Sequence, residues 1–238
     1  MKSILLGISL VVIGAANLTL AQSFEFNVER EHTLRNRTGK LIITSDQIEY
    51  KTERKGESRV WAYNQLREIK ILSSARIELH SYEDQKRMLG TDRVYKFRLL
   101  DAEITPELSA LILAKLPRPL ATSVLPEKGG EAIFSIPVKH LHRFGGCLGM
   151  LKIFTDRIVY EAQEETTDSR YWRYRDVQSF SQSERFRFEI FSFEESFGGS
   201  KAYNFQLRED LPAGAYDFLW QRVYPSKLPL TGKIVSKP

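Results

Sequence analysis

The chain states one pattern twice. Residues 39–66, GKLIITSDQIEYKTERKGESRVWAYNQL, return further along as residues 149–177, GMLKIFTDRIVYEAQEETTDSRYWRYRDV. Gly39, Leu41, Ile43, Asp46, Ile48 and Tyr50 fall on Gly149, Leu151, Ile153, Asp156, Ile158 and Tyr160. After one inserted residue, Ser58, Arg59, Trp61, Tyr63, Leu66 and Ile69 fall on Ser169, Arg170, Trp172, Tyr174, Val177 and Phe180. Later, RIELHSYE (76–83) matches RFEIFSFE (187–194), YKFRL (95–99) matches YNFQL (203–207), and His32 coincides with His142. Such a duplication restricts the fold to one that roughly 100 residues can complete, twice.

The matched apolar positions recur every second residue, the period of a strand with one face on a core and one in water. Both copies are therefore expected to be mostly β. The alternation breaks at Ser45 and Asp46 and again at Thr155 and Asp156, where Asp bonds its own backbone and holds a tight turn. Each copy ends differently. TPELSALILAKLP and LPAGAYDFLWQRVYP carry apolar residues at helical spacing, open with Pro in the first turn and stop before another Pro, which predicts a helix at each end.

About seven short strands and one helix per copy, with GxLxIxxDxIxY, a variable loop and WxYxxLxxI, resemble the pleckstrin-homology-like superfamily, including bacterial PH and GRAM-type domains. The resemblance covers residues 26–116 and 133–224. It implies a mainly β (α+β) chain of two tandem bent seven-stranded sheets, each capped by its C-terminal helix, and it implies binding rather than turnover. The expected division is a signal peptide (1–21), a first domain (22–116), a Pro- and Gly-rich linker (117–132), a second domain (133–224) and a flexible basic tail (225–238).

The leader has one Lys, an apolar run from Ile4 to Ala16 and a small-residue end, so cleavage is expected after Ala21 and the mature protein is expected to be secreted or periplasmic. The run is shorter than the roughly 20 residues that a spanning helix needs. With Cys147 alone, no internal disulfide can form, and the fold must stand on its core.

Signals for catalysis are missing: no GxSxG, Walker A, HExxH or paired CxxC occurs. His140 and His142 point two imidazoles to one face of a strand, but a stable zinc site wants three protein ligands and no third is visible. No metal, cofactor, nucleic-acid partner or enzymatic activity is therefore expected. LPLTG at 228–232 matches a cell-wall sorting pattern without the apolar span that should follow it, and reads as accidental.

Residues present in both copies are best explained by folding, so Trp61, Trp172, Tyr63 and Tyr174 read as core or rim, and Arg59 and Arg170 as stacking or ion-pair partners. Function belongs to the differences. Residues 30–116 hold 17 Lys and Arg against 13 Asp and Glu, whereas residues 139–223 hold 12 against 13. Between its first two strands copy one reads RNRTGK and copy two RFGGCLG. Arg35, Arg37 and Lys40 are candidate anion ligands, since guanidinium and ammonium groups suit phosphate or sulfate oxygens. Phe144 and Cys147 are candidate partner contacts. Further on, KTERKGES carries three cations and two acids, and its counterpart EAQEETTDS four acids and no cation; these loops are either independent or paired. The expected function is a non-catalytic adaptor binding a protein partner. The alternative is peripheral binding of anionic lipid headgroups or cell-surface polyanions through the basic loop.

Overall fold

The computed structural model describes residues 22–32, 35–85, 88–127, 129–196 and 199–225. The leader 1–21 with its expected cleavage point, and residues 226–238 with the LPLTG stretch, lie outside the described residues.

The alternating segments are strands. The first copy contains β1 (Ser23–Glu31), β2 (Arg37–Thr44), β3 (Gln47–Lys51), β4 (Arg59–Ala62), β5 (Leu66–Ser73), β6 (Arg76–Gln85) and β7 (Met88–Leu99), followed by α1 (Pro106–Lys115) and β8 (Leu120–Thr122). The second contains β9 (Phe134–Leu141), β10 (Gly146–Ile153), β11 (Arg157–Ala162), β12 (Arg170–Arg173), β13 (Val177–Glu184), β14 (Arg187–Ser196) and β15 (Gly199–Leu207), followed by α2 (Ala215–Val223). The sheets run β4-β3-β2-β1-β7-β6-β5-β8 and β12-β11-β10-β9-β15-β14-β13. The chain is mainly β, in two sheets of seven antiparallel strands, and an eighth strand joins the first sheet in parallel.

One strand in each copy bends the sheet. β1 pairs with β2 over residues 23–30 and with β7 over residues 28–31, and β9 divides itself in the same way between β10 and β15. A strand shared by two halves must twist between them, and the inner face curls round the core. Gly39 and Gly149 are required by that curl. The rings of Tyr50 and Tyr160 lie across their backbones, and a Cβ at either would stand 2.6 Å from the ring and within 2.4 Å of a facing carbonyl oxygen.

The mouth of each curled sheet is closed by one carboxylate. Trp61 and Trp172 are fully buried, and their indole Nε1 atoms donate to Glu83 at 3.2 Å and to Glu194 at 3.0 Å. The hydroxyls of Tyr95 and Tyr203 donate to the other oxygens of the same two carboxylates, at 2.8 and 2.5 Å. The expected hairpin turn is present, but Thr44 rather than Asp46 holds it: Thr44 Oγ1 accepts from the amides of Asp46 and Gln47, while the Asp46 carboxylate accepts from Ser45 Oγ. The helices differ in their starts. Thr105 caps α1 with Pro106 in the first turn, as expected, but α2 begins only after Gly214, at φ +80°, and Pro212 stands outside it with its carbonyl accepting from Ala215.

The stretch read as a linker contributes β8, whose residues 120–122 pair in parallel with Ile69–Ile71 of β5. The two copies then share buried surface, because Val159 and Tyr171 of the second belong to the hydrophobic core of the first. Arg173 fastens this contact. Its guanidinium donates to the carbonyls of Leu113 (2.8 Å), Leu116 (3.2 Å) and Arg118 (2.8 Å) and pairs with Asp176 at 2.5 Å. A helix leaves its last carbonyls without intrahelical partners, so one cation at the end of α1 satisfies them from across the contact. A second seam joins β5 to β14, where Lys70 Nζ donates to the Glu195 carbonyl at 3.0 Å and the Glu195 amide to Glu68 at 3.2 Å.

Arg173→Ala is expected to destabilise the protein by about 3 kcal/mol, because it leaves the Asp176 carboxylate and the carbonyls of α1 buried without a donor. Arg59→Ala, which removes only an exposed loop contact, is expected to cost about 1 kcal/mol or less. Denaturant titration of both variants measures the difference. At the second seam, burial raises the pKa of Glu68 above the usual 4.5, against the opposing charges of Lys70 and His80. A raised carboxyl value favours the fold below the ordinary pKa, and that advantage is lost as pH rises through the folded value. Glu68→Gln is therefore expected to flatten the decline in denaturant midpoint as pH climbs from about 4.5 towards neutrality.

Candidate functional site

Each copy brings a hairpin end and a loop together at one corner. In the first copy the hairpin joins β1 to β2 and the loop joins β3 to β4; in the second, the corresponding connections join β9 to β10 and β11 to β12. All five residues singled out in the sequence lie at these corners. The loops are built alike. Ser58 and Ser169 each accept an amide across the loop base at 3.1 Å, from Thr52 and Ala162. Arg59 donates to the carbonyls of Gly56 and Ser58, and Arg170 to those of Thr167 and Ser169. The shared arginines thus hold their own loops by backbone carbonyls, rather than serving chiefly as ion-pair partners.

At the first corner an open groove of about 990 Å³ is lined by Arg35, Arg37, Lys40, Lys51, Arg54 and Glu53, among others. Its cations are mostly answered from within. Arg37 pairs with Glu57, Arg54 lies 3.4 Å from the same carboxylate, Lys40 is 2.6 Å from Glu25, and Lys51 is 3.1 Å from Glu49. Only Arg35 among the three candidate ligands is exposed without an ion pair among the described residues. On β1, the Arg30 guanidinium lies 4.7 Å from the centre of the Tyr95 ring. Burial lowers its pKa, while Tyr95, Tyr50 and Glu57 oppose that shift. The groove is polar and mixed in charge.

The second corner has the same frame and different chemistry. The residue that answers Arg30 is His140, Arg37 is answered by Cys147, and Glu57 by Asp168. His140 and Asp168 are buried, with His140 Nδ1 2.9 and 3.0 Å from the carboxylate oxygens. His142 Nε2 lies 3.2 Å from Asp168 Oδ2, and the two imidazole centroids are 4.5 Å apart. Burial raises the Asp168 pKa, but the hydrogen bond from His140 and the charges of His140, His142 and Arg170 outweigh it, holding the carboxyl below its usual range. Cys147 is half-buried, and its thiol is pushed up by burial and by the adjacent Asp168. Phe144 stands at the hairpin tip, 85% exposed beside Arg143, before Gly145 at φ +79°.

Sequence reasoning found the two imidazoles and missed the third group. Asp168 comes from a loop 26 residues further along the chain. The signal was an acid directly before the Ser–Arg pair in both copies, Glu57 and Asp168. No ion pair joins the two opposite-signed loops among the described residues; each is answered within its own copy.

No family model matches the chain, and no curated protein does. Among solved structures the chain is similar to the Spt16D Pob3N heterodimer, with 11% identity over 72% of this chain and 82% of that one, and a TM-score of 0.29. A likeness that faint carries no argument about fold or function.

If Glu57 is what keeps the first corner from attracting anions, Glu57→Gln is expected to release Arg37 and Arg54 and strengthen binding to phosphatidylserine vesicles by roughly fivefold, about 1 kcal/mol for one net charge. Vesicle co-sedimentation of wild type and variant measures this, and equal binding by the two shows that the corner is not in contact with the surface.

Proposed function

We propose that the chain is a non-catalytic binding protein built on two pleckstrin-homology-like sheets, acting outside the cytoplasm, and that it takes a protein partner by strand addition to the free edge of its second copy. The observation that carries this reading lies in the first copy. There β8 has added itself in parallel to β5, so this edge of the fold accepts a strand. The equivalent residues of the second copy are Phe180–Gln182 on β13, the last strand of its sheet, and no strand pairs with that edge among the described residues. An unpaired edge presents a row of main-chain donors and acceptors, and peptides commonly dock by completing such a ladder. Its solvent-facing side chains are Gln and Ser, with Glu184 at the strand's end, and it carries none of the Lys and Pro that block edges.

A second reading has its own observation, the open groove at the first corner with its exposed Arg35. Internal neutralisation of Arg37 and Lys40 weighs against it, because a surface that already holds its counter-charges gains little from phosphate.

The test uses the protein as bait for material from its native compartment, washed at low and high salt. Gln178→Lys with Gln182→Lys places charge along β13 and is expected to reduce partner retention by at least about tenfold, the effect of one or two lost ladder hydrogen bonds. Retention is expected to survive high salt and the combined changes Arg35→Glu, Arg37→Glu and Lys40→Glu. Loss of binding in high salt and in that triple variant, with the β13 variant unaffected, establishes the anionic reading instead.

A further inference from the structure

We propose that the second corner is a metal site in which His140 Nδ1, His142 Nε2 and a carboxylate oxygen of Asp168 bind one divalent ion of the zinc class. The comparison between the two copies carries this. At the first corner the Glu57 carboxylate is surrounded by guanidinium groups: Arg37 pairs with it, Arg54 approaches to 3.4 Å, and Arg30 lies close enough to feel its charge. At the second corner Arg30 has become His140 and Arg37 has become Cys147, and the loop that carried Arg54 reads EAQEETTDS, without a cation. The carboxylate has stayed, and it is buried. Its protein cations have gone, apart from Arg170, which is occupied with its own loop carbonyls. A buried carboxylate keeps its place only with partners that answer it, and here those are His140 and His142. What replaces the guanidinium groups is two imidazoles aimed at the carboxylate.

The geometry suits an ion. The three donor atoms all lie within 4.8 Å of one another, with His140 Nδ1 and His142 Nε2 at 2.9 and 3.2 Å from Asp168 Oδ2. An ion about 2.0–2.1 Å from each donor in a tetrahedral arrangement sets the donors roughly 3.3 Å apart, close to the two distances to Asp168, so binding requires the imidazole nitrogens to close to that spacing by side-chain rotation. One ligand, His140, sits near the end of β9, His142 follows one residue past that strand's last residue, and the third, Asp168, comes from the loop before β12. His142 is partly exposed, which leaves the remaining coordination position open to water. Two nitrogen donors and one carboxylate favour zinc, nickel or copper over calcium and magnesium, which take oxygen. Bound there, the ion clasps the β9–β10 hairpin to the 163–169 loop, as Arg37 clasps the corresponding elements in the first copy.

The test is isothermal titration of the chelator-treated protein with zinc chloride, with magnesium chloride as control. One equivalent of zinc at micromolar or tighter affinity is expected, and no magnesium binding. His142→Ala and Asp168→Asn are each expected to weaken zinc binding by at least roughly a hundredfold, since each removes one of three ligands. Cys147→Arg restores the guanidinium of the first copy and is expected to abolish binding, while circular dichroism reports an unchanged fold. Zinc is also expected to raise the melting temperature of the wild type and not that of Cys147→Arg. No binding by wild type at 0.1 mM zinc, roughly a hundredfold above that micromolar affinity, overturns the proposal. So does zinc binding that survives in either His142→Ala or Asp168→Asn.

Discussion

Closing a bent sheet over an indole and a phenol buries both rings and leaves two polar hydrogens that need an acceptor, at a half-exposed carboxylate in the first copy and a buried one in the second. Each copy meets this with one glutamate that accepts from both. Trp61 comes from β4 at the end of one half of the first sheet, while Glu83 and Tyr95 come from β6 and β7 in the other half, so the carboxylate latches the two halves together. Leaving either donor unpaired would cost about 1–3 kcal/mol, and the rings themselves could not then stay buried. In the second copy Glu194 is 4% exposed, and a charge so far from water depends on its two donors. Tyr203 remains a donor throughout, because burial and the neighbouring Glu194 push its hydroxyl pKa well above the usual 10. Strand order, the curl and the corner loops all presuppose this closure.

Much of the frame was legible because it repeats a local rule. Period-two alternation, the Ser45–Asp46 break and the Pro-bounded helices are local signals, and they placed fourteen strands and two helices. What stayed hidden depends on distant partners. Three residues of β8 pairing in parallel with β5 leave no mark in a segment rich in Pro. RIELHSYE and RFEIFSFE aligned plainly, yet the role of their last residue, the latch glutamate, is invisible until Trp61 and Trp172 are seen to point at it. The start of α2 was misplaced because Pro212 fits a first turn, but Gly214 in a left-handed conformation sets the helix three residues later.

The differences between the copies turn out to encode first how one copy rests on the other. Val159, Tyr171 and Arg173 lie at the buried contact, and their counterparts in the first copy are Glu49, Val60 and Ala62. Val60 is 51% exposed where Tyr171 is buried. The same outer face of β3–β4 and β11–β12 is therefore solvated in one copy and apolar in the other, and only the second can dock on α1 and β8. An identical pair in this arrangement would have left one equally apolar outer face exposed to water. Sequence divergence after duplication fixes which copy is the platform and which the passenger.

The same asymmetry decides where the chain has something left to bind. The first copy is answered from within: β8 fills the free edge of β5, and Arg37 and Arg54 balance Glu57 at its corner. Its groove is open, yet most of its charges are spent on one another. The second copy has the same edge on β13 without a strand from the described residues, and at the position of Glu57 a buried acid answered chiefly by two imidazoles. A position that the fold fills in one copy and leaves unfilled in the other is a position where an added group fits the existing geometry without new strain. Charge at the corner calls for a cation, and main-chain polarity at the edge calls for a strand. On the proposed reading, two copies of one frame, one self-satisfied and one not, divide the labour of holding the molecule together and of taking up what comes from outside.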